Sequence, residues 1–137
     1  MVVASNDATV GHHSNFISIL QAQSANRVIR SLNRNAGCLE PLQKENPSGD
    51  ESNGGVHLAN ALAPSGFENW QAWPPIASPL IGESPPQGLF PQTVEEAQKL
   101  DHFGILRLVA YYNDSFGIRT DDEIEKRREK FLAWCRP

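Results

Sequence analysis

At 137 residues and a formal net charge of −4, the chain is long enough for one ordinary core and lacks the basic excess of a dedicated polyanion binder. Its 39% hydrophobic content, with three Trp and six Phe, is too rich for a wholly disordered chain. Two cysteines far apart, Cys38 and Cys135, exclude a disulfide-framed secreted scaffold, and no run approaches the roughly 18 apolar residues of a membrane span.

Nine of the ten prolines and seven of the ten glycines fall between Gly37 and Pro91. Proline removes a backbone donor and fixes φ, and glycine raises the entropic cost of any regular element. The chain therefore divides into residues 1–37, an arm and amphipathic helix; 38–92, an irregular Pro/Gly-rich segment; and 93–137, a helical hairpin. The expected fold is mostly α with a large irregular fraction.

Met1 to His13 show no period and read as a loose arm. Ser14 is a good N-cap type for a helix in which Phe16, Leu20, Val28 and Leu32, flanked by Ala25 and Ile29, form one apolar stripe. Asn35 and Gly37 supply the stop. The Ser and Asn content is poor for helix propensity, so this helix needs a surface to pack on.

Cys38 to Gly55 reads as polar and turn-rich, and Val56 to Ala63 as two helical turns ending before Pro64. Ser65 to Pro91 is irregular yet apolar, with Phe67, Trp70, Trp73, Ile76, Leu80, Ile81, Leu89 and Phe90 set among prolines. A flexible linker has no use for two Trp, so the expectation is an extended, polyproline-like strap pressed onto an apolar surface.

Beyond Pro91, Thr93-Val94-Glu95-Glu96 has the form of a capping box, and the apolar positions from Val94 to Tyr112 recur at helical spacing. Gly117 and Ile118 read as a left-handed helix terminator. Thr120-Asp121-Asp122-Glu123 repeats the capping-box pattern ahead of Ile124, Phe131, Leu132 and Cys135. An αα-hairpin over 93–136 follows.

Chemistry is thinly signalled. Arg27, Arg30 and Arg34 stand at i, i+3 and i+7, a candidate phosphate-binding face that reads equally as a solvated one. Asn26, Asn33 and Asn35 beside them read as nucleic-acid donors or surface filler. His12, His13, His57 and His102 with the two cysteines lack the paired ligand spacing of a metal site, so none is expected, nor is any cofactor. No elbow motif supports Cys38 or Ser115 as nucleophile, no glycine-rich loop cradles phosphate, and the acid pairs Glu95-Glu96 and Asp121-Asp122 already serve helix starts, so no catalytic residue emerges. Trp70, Trp73, Ile76 and Leu80 are the protein-binding candidates, as aromatic and aliphatic anchors. Lys126, Arg127 and Lys130 are a second basic group that a polyanion would need.

The expected function is a non-catalytic accessory or adaptor protein, docking on a larger assembly or on its own copies through the strap and helix faces. The alternative is a nucleic-acid-associated factor using Arg27, Arg30 and Arg34. Cysteine usage points to a reducing, cytoplasmic compartment. Residues 1–36, rich in Ser and Asn with three Arg and only Asp7 as acid, also resemble a mitochondrial transit segment.

Overall fold

The computed structural model describes residues 3–34, 37–46, 54–67 and 81–136. Among these the chain is mostly helical, with helices α1 (Val3–Asn33), α2 (Gly54–Leu62), α3 (Val94–Ala97), α4 (His102–Tyr112) and α5 (Ile124–Cys135) and no strand.

The core is built around α4. Ile105, Leu106, Leu108, Val109, Ala110, Tyr111 and Tyr112 are all buried, so this helix is apolar on every side and must be wrapped. Ala59 and Leu62 of α2 cover one side, and Phe131 and Cys135 of α5 another. Between them Phe90, Tyr112, Phe116, Phe131 and Trp134 form an aromatic cluster of tilted and edge-on contacts with one stacked pair, Phe131 and Trp134, the closest contact being Phe116 to Trp134 at 4.5 Å between ring centroids. The edge-on pairs match the positive edge of one ring to the negative face of the next.

Residues 37–46 run extended through the middle of the molecule. The Leu39 amide donates to the Gln92 carbonyl (2.8 Å) and the Val94 amide to the Gly37 carbonyl (2.9 Å), with an antiparallel bridge between Cys38 and Thr93. Lys44 exchanges backbone hydrogen bonds with residues 82 and 83, at 3.0 Å to the Glu83 carbonyl and 2.8 Å from the Gly82 amide. The Tyr112 hydroxyl donates to the Leu42 carbonyl (2.6 Å) and the Lys44 ammonium to the Tyr111 carbonyl (2.8 Å). Leu39, Leu42 and Lys44 are buried. The expectation of a polar, turn-rich stretch from Cys38 is thus overturned for 38–46: two leucines suffice when neighbouring segments satisfy the backbone.

The C-terminal region departs from its expected outline in three places. The helix predicted from Val94 onward is broken after Ala97, and α4 restarts where Asp101 Oδ1 accepts from the Gly104 amide at 2.7 Å. Gly104 permits this close cap, since a Cβ there would lie 3.1 Å from Leu100 Cδ2 and 3.2 Å from Asp101 Oδ1. Termination comes earlier than Gly117: Asn113, in the left-handed region at φ 50°, caps α4. Phe116 also sits at φ 56°, an uncommon conformation for a bulky residue, and its ring is enclosed by Tyr112, Phe131 and Trp134. Finally, α5 begins at Ile124 and not beside Thr120, because Asp122 turns back to accept the Arg119 amide (2.8 Å) and pair with Lys130. The first cap forms in half: Thr93 Oγ1 accepts the Glu96 amide (3.0 Å), but the Glu96 carboxylate takes the amide of Gln92 (2.6 Å), one residue before the cap, and not that of Thr93 as a reciprocal capping box requires.

At the other end, α1 starts at Val3, so Ser14 lies inside it and the residues expected to be an arm are helical from position 3.

Candidate functional site

Among the described residues no group of three or more His, Cys, Asp or Glu is placed to hold a metal ion. A surface cleft of about 380 Å³ runs along Gly88–Gln92 and the side chains of Glu96 and Lys99. Its two charged groups are already engaged, Lys99 with Glu95 (3.0 Å) and Glu96 with the Gln92 amide. Asp122 is held below the usual carboxylate range, chiefly by the Lys130 ammonium and then by the Arg119 amide, which is the mark of a structural ion pair. Ser115 Oγ accepts the Gly117 amide at 3.3 Å inside the turn after α4. Cys38 is exposed, whereas Cys135 is buried and its thiol is pushed up by desolvation.

What distinguishes this molecule is the way α1 is attached. At about 100° per residue, Ala22, Asn26, Ile29, Arg30 and Asn33 share one face of the helix. That face docks on residues 40–45 and the end of α5 through a polar seam, beside which Ala22 is buried and Ile29 packs against the core. Asn26 Oδ1 accepts the Gln43 amide (2.7 Å) while its Nδ2 donates to the Gln43 carbonyl (2.8 Å) and Glu45 Oε2 (2.7 Å). Asn33 repeats the pattern: its Oδ1 accepts the Glu40 amide (2.8 Å), and Nδ2 donates to the carbonyls of Glu40 and Cys135, both at 3.1 Å. Both asparagines are fully buried. Each amide thus clips an extended backbone as a second strand would, with donor and acceptor used together.

Arg30 completes the attachment. Its Nε donates to the Trp134 carbonyl (2.8 Å), its guanidinium lies 5.3 Å from the Trp134 ring centroid, and Nη1 stands 3.8 Å from Glu45. Arg27 and Arg34 are exposed. The three arginines therefore do not share one free face. Arg127 is likewise spent inside the molecule on backbone carbonyls, while Lys126 remains exposed.

The opposite face of α1 carries the apolar stripe read from the sequence, and it points outward. Phe16 is 60% exposed, Ile17 51%, Leu20 49%, Val28 61% and Leu32 61%. On the same helical period, Ile17, Leu20, Ser24, Val28 and Ser31 fall within an arc of about 80°, centred roughly opposite the asparagine face, with Phe16 and Leu32 at its margins. An expectation is overturned here: of the stripe only its flanking Ile29 packs on the core, while Phe16, Leu20, Val28 and Leu32 face outward and the asparagines and Arg30 supply the polar attachment. The signal was present in the sequence as Asn26, Arg30 and Asn33 at i, i+4 and i+7, the spacing of a buried polar seam.

Trp70, Trp73, Ile76 and Leu80 lie outside the described residues. The neighbouring part of the expected strap is anchored, with Leu89, Phe90 and Pro91 buried and Ile81 half-buried. No described helix is long and apolar enough to cross a membrane. No protein-family model matches the chain, and neither a curated protein nor a solved structure shows significant similarity to it.

Proposed function

We propose that this chain is a non-catalytic accessory or adaptor protein that docks on a larger protein assembly, with the outward face of α1 as a contact surface. One observation carries the reading: five large apolar side chains stand about half or more exposed along one helix whose other face is fastened by buried asparagines. Contiguous apolar patches beyond a few hundred Å² are rare on monomers and accompany interaction sites. A fastening made of polar groups frees the apolar residues for use elsewhere.

In this reading the Pro-rich segment supplies Trp70, Trp73, Ile76 and Leu80 as a second contact, used together with the helix faces. The alternative, a nucleic-acid-associated factor, draws on Arg27 and Arg34 but not on Arg30, which Trp134 and Glu45 already engage. In-cell cross-linking followed by native-mass measurement tests the reading. Wild type is expected in a complex heavier than any self-oligomer, and Val28→Glu should release it. Wild type and variant running alike, with no heavier complex, would sink the adaptor function.

A further inference from the structure

The outward face of α1 carries a symmetry that selects its occupant. Along the i+4 ridge the residues read Phe16, Leu20, Ser24, Val28, Leu32. The order is large, large, small, large, large, centred on Ser24. A two-fold axis through Ser24 would set residue i opposite residue 48 − i of a second, antiparallel copy. Leu20 then meets Val28, Phe16 meets Leu32, and the two Ser24 side chains meet at the crossing. Small residues at a crossing allow two helices to approach closely, and interdigitated i±4 ridges are the commonest packing class, at a crossing angle of about −50°. Gln21 falls opposite Arg27, so the exposed guanidinium meets an amide oxygen and not a second cation.

We propose that α1 pairs through this face with α1 of a second copy of the chain. The proposal deepens the docking reading and rests on it, with self-complementarity as its own evidence. Three further observations support it. The described contacts of α1 with the body of each copy lie on the asparagine side, about 180° from the apolar side by the helical period, and leave the apolar side exposed. A specific contact needs to bury on the order of 1,000 Å² in total, about 500 Å² from each partner, which is the scale of five half-exposed large side chains with Gln21, Ser24, Arg27 and Ser31 around them. An isologous interface also requires that one patch complement itself, which this order satisfies and an arbitrary apolar stripe does not.

The experiment is light scattering on the purified full chain at low and high micromolar concentration. The expected result is a concentration-dependent mass approaching twice 15.1 kDa. Val28→Glu and Leu20→Lys should each hold the chain at one copy with unchanged helical circular dichroism. Mixing the two variants should restore the dimer, because the introduced ammonium of one chain then faces the introduced carboxylate of the other. In a Cys38→Ser background, Ser24→Cys should cross-link to a covalent dimer under mild oxidant and Ser31→Cys should not, since only the axis position brings like residues within disulfide reach.

Monomer at every concentration, or a dimer indifferent to both variants, overturns self-pairing. So does a monomer that cosediments with phosphatidylserine vesicles through the same face, which would make the occupant a lipid surface. If the purified protein is monomeric while a heavier cellular complex is still lost in Val28→Glu, self-pairing fails and the adaptor reading stands. A dimer that joins nothing larger in cells leaves self-pairing standing and removes the adaptor reading.

Discussion

Arg127 spends its guanidinium on backbone oxygens. Nε donates to Asp122 (2.9 Å), Nη1 to Leu62 (2.7 Å), and Nη2 to Thr120 (3.2 Å) and Arg119 (3.4 Å), and the residue is fully buried. It ties the end of α2 to the turn before α5. Removing it strands the buried Leu62 carbonyl and unties the three part-buried ones, so Arg127→Met is expected to lower unfolding free energy by about 3 kcal/mol in urea titrations, as for other charge-assisted bonds in the interior. Arg127→Lys should recover only part of that, because an ammonium cannot span the fork. Lys44 is a buried cation of another kind. Desolvation lowers its pKa to about 8 from 10.5, so the unfolded chain holds this proton over a pH range where the folded chain has released it. Through this group the wild type gains stability as pH rises through 8 towards 10.5, and Lys44 destabilises below 8. Lys44→Met removes this pH dependence together with the hydrogen bond to the Tyr111 carbonyl, so its stability relative to wild type should fall by on the order of 2 kcal/mol between pH 7 and about pH 10. Comparing the two proteins at each pH isolates Lys44 from Tyr111, Tyr112 and Cys135, whose raised pKa values act in the opposite direction.

At the scale of elements, helix existence was more legible in the sequence than helix attachment. Thr93 announced α3 because a cap is a local device whose partners lie three residues apart. The break before α4 was hidden: Asp101 sits at a polar position of a continuous helical pattern, and its cap on Gly104 is joined there by a long-range tie, the Arg128 side chain reaching the Leu100 carbonyl (2.6 Å). Thr120 had the letters of a cap, but Asp122 found Arg119 and Lys130 instead. Asn26 and Asn33 read as surface because asparagine usually is, and their partners in residues 40–45 and α5 are set by tertiary structure alone. Since α1 is fastened by these amides, Asn26→Ala with Asn33→Ala should loosen the helix without melting the core. Hydrogen exchange is expected to accelerate at least roughly tenfold over residues 22–33 and to leave α4 unchanged. Equal acceleration in α4 would show that α1 is part of one cooperative core.

For the whole molecule, the uneven distribution of charge along the chain has a measurable counterpart. Arg30 is engaged with Glu45 and Trp134, and Lys130 with Asp122, so the two basic groups keep only Arg27, Arg34 and Lys126 as exposed, dispersed cations. Residues 39–92 carry six acidic residues against Lys44, a balance of −5, which at a Debye length of about 8 Å opposes any polyanion lying nearby. No measurable binding to duplex or single-stranded nucleic acid is expected at physiological salt. Micromolar binding that weakens steeply with salt and disappears in Arg27→Ala with Arg34→Ala would favour the alternative function.

The fastening of α1 also orders events in time. Arg30 and Asn33 reach partners 104 and 102 residues further along the chain. Their other partners lie in residues 40–45, a segment that is itself held by residues 82–83 and 92–94. Contacts between such distant positions carry a closure cost that the clips to Glu40 and Gln43, 7 and 17 residues away, do not, so α1 is expected to meet residues 40–45 before that pair closes on α5. Until that closure the α5 contacts of Arg30 and Asn33 are unmade, and the same α5 carbonyls of a neighbouring copy can take their place.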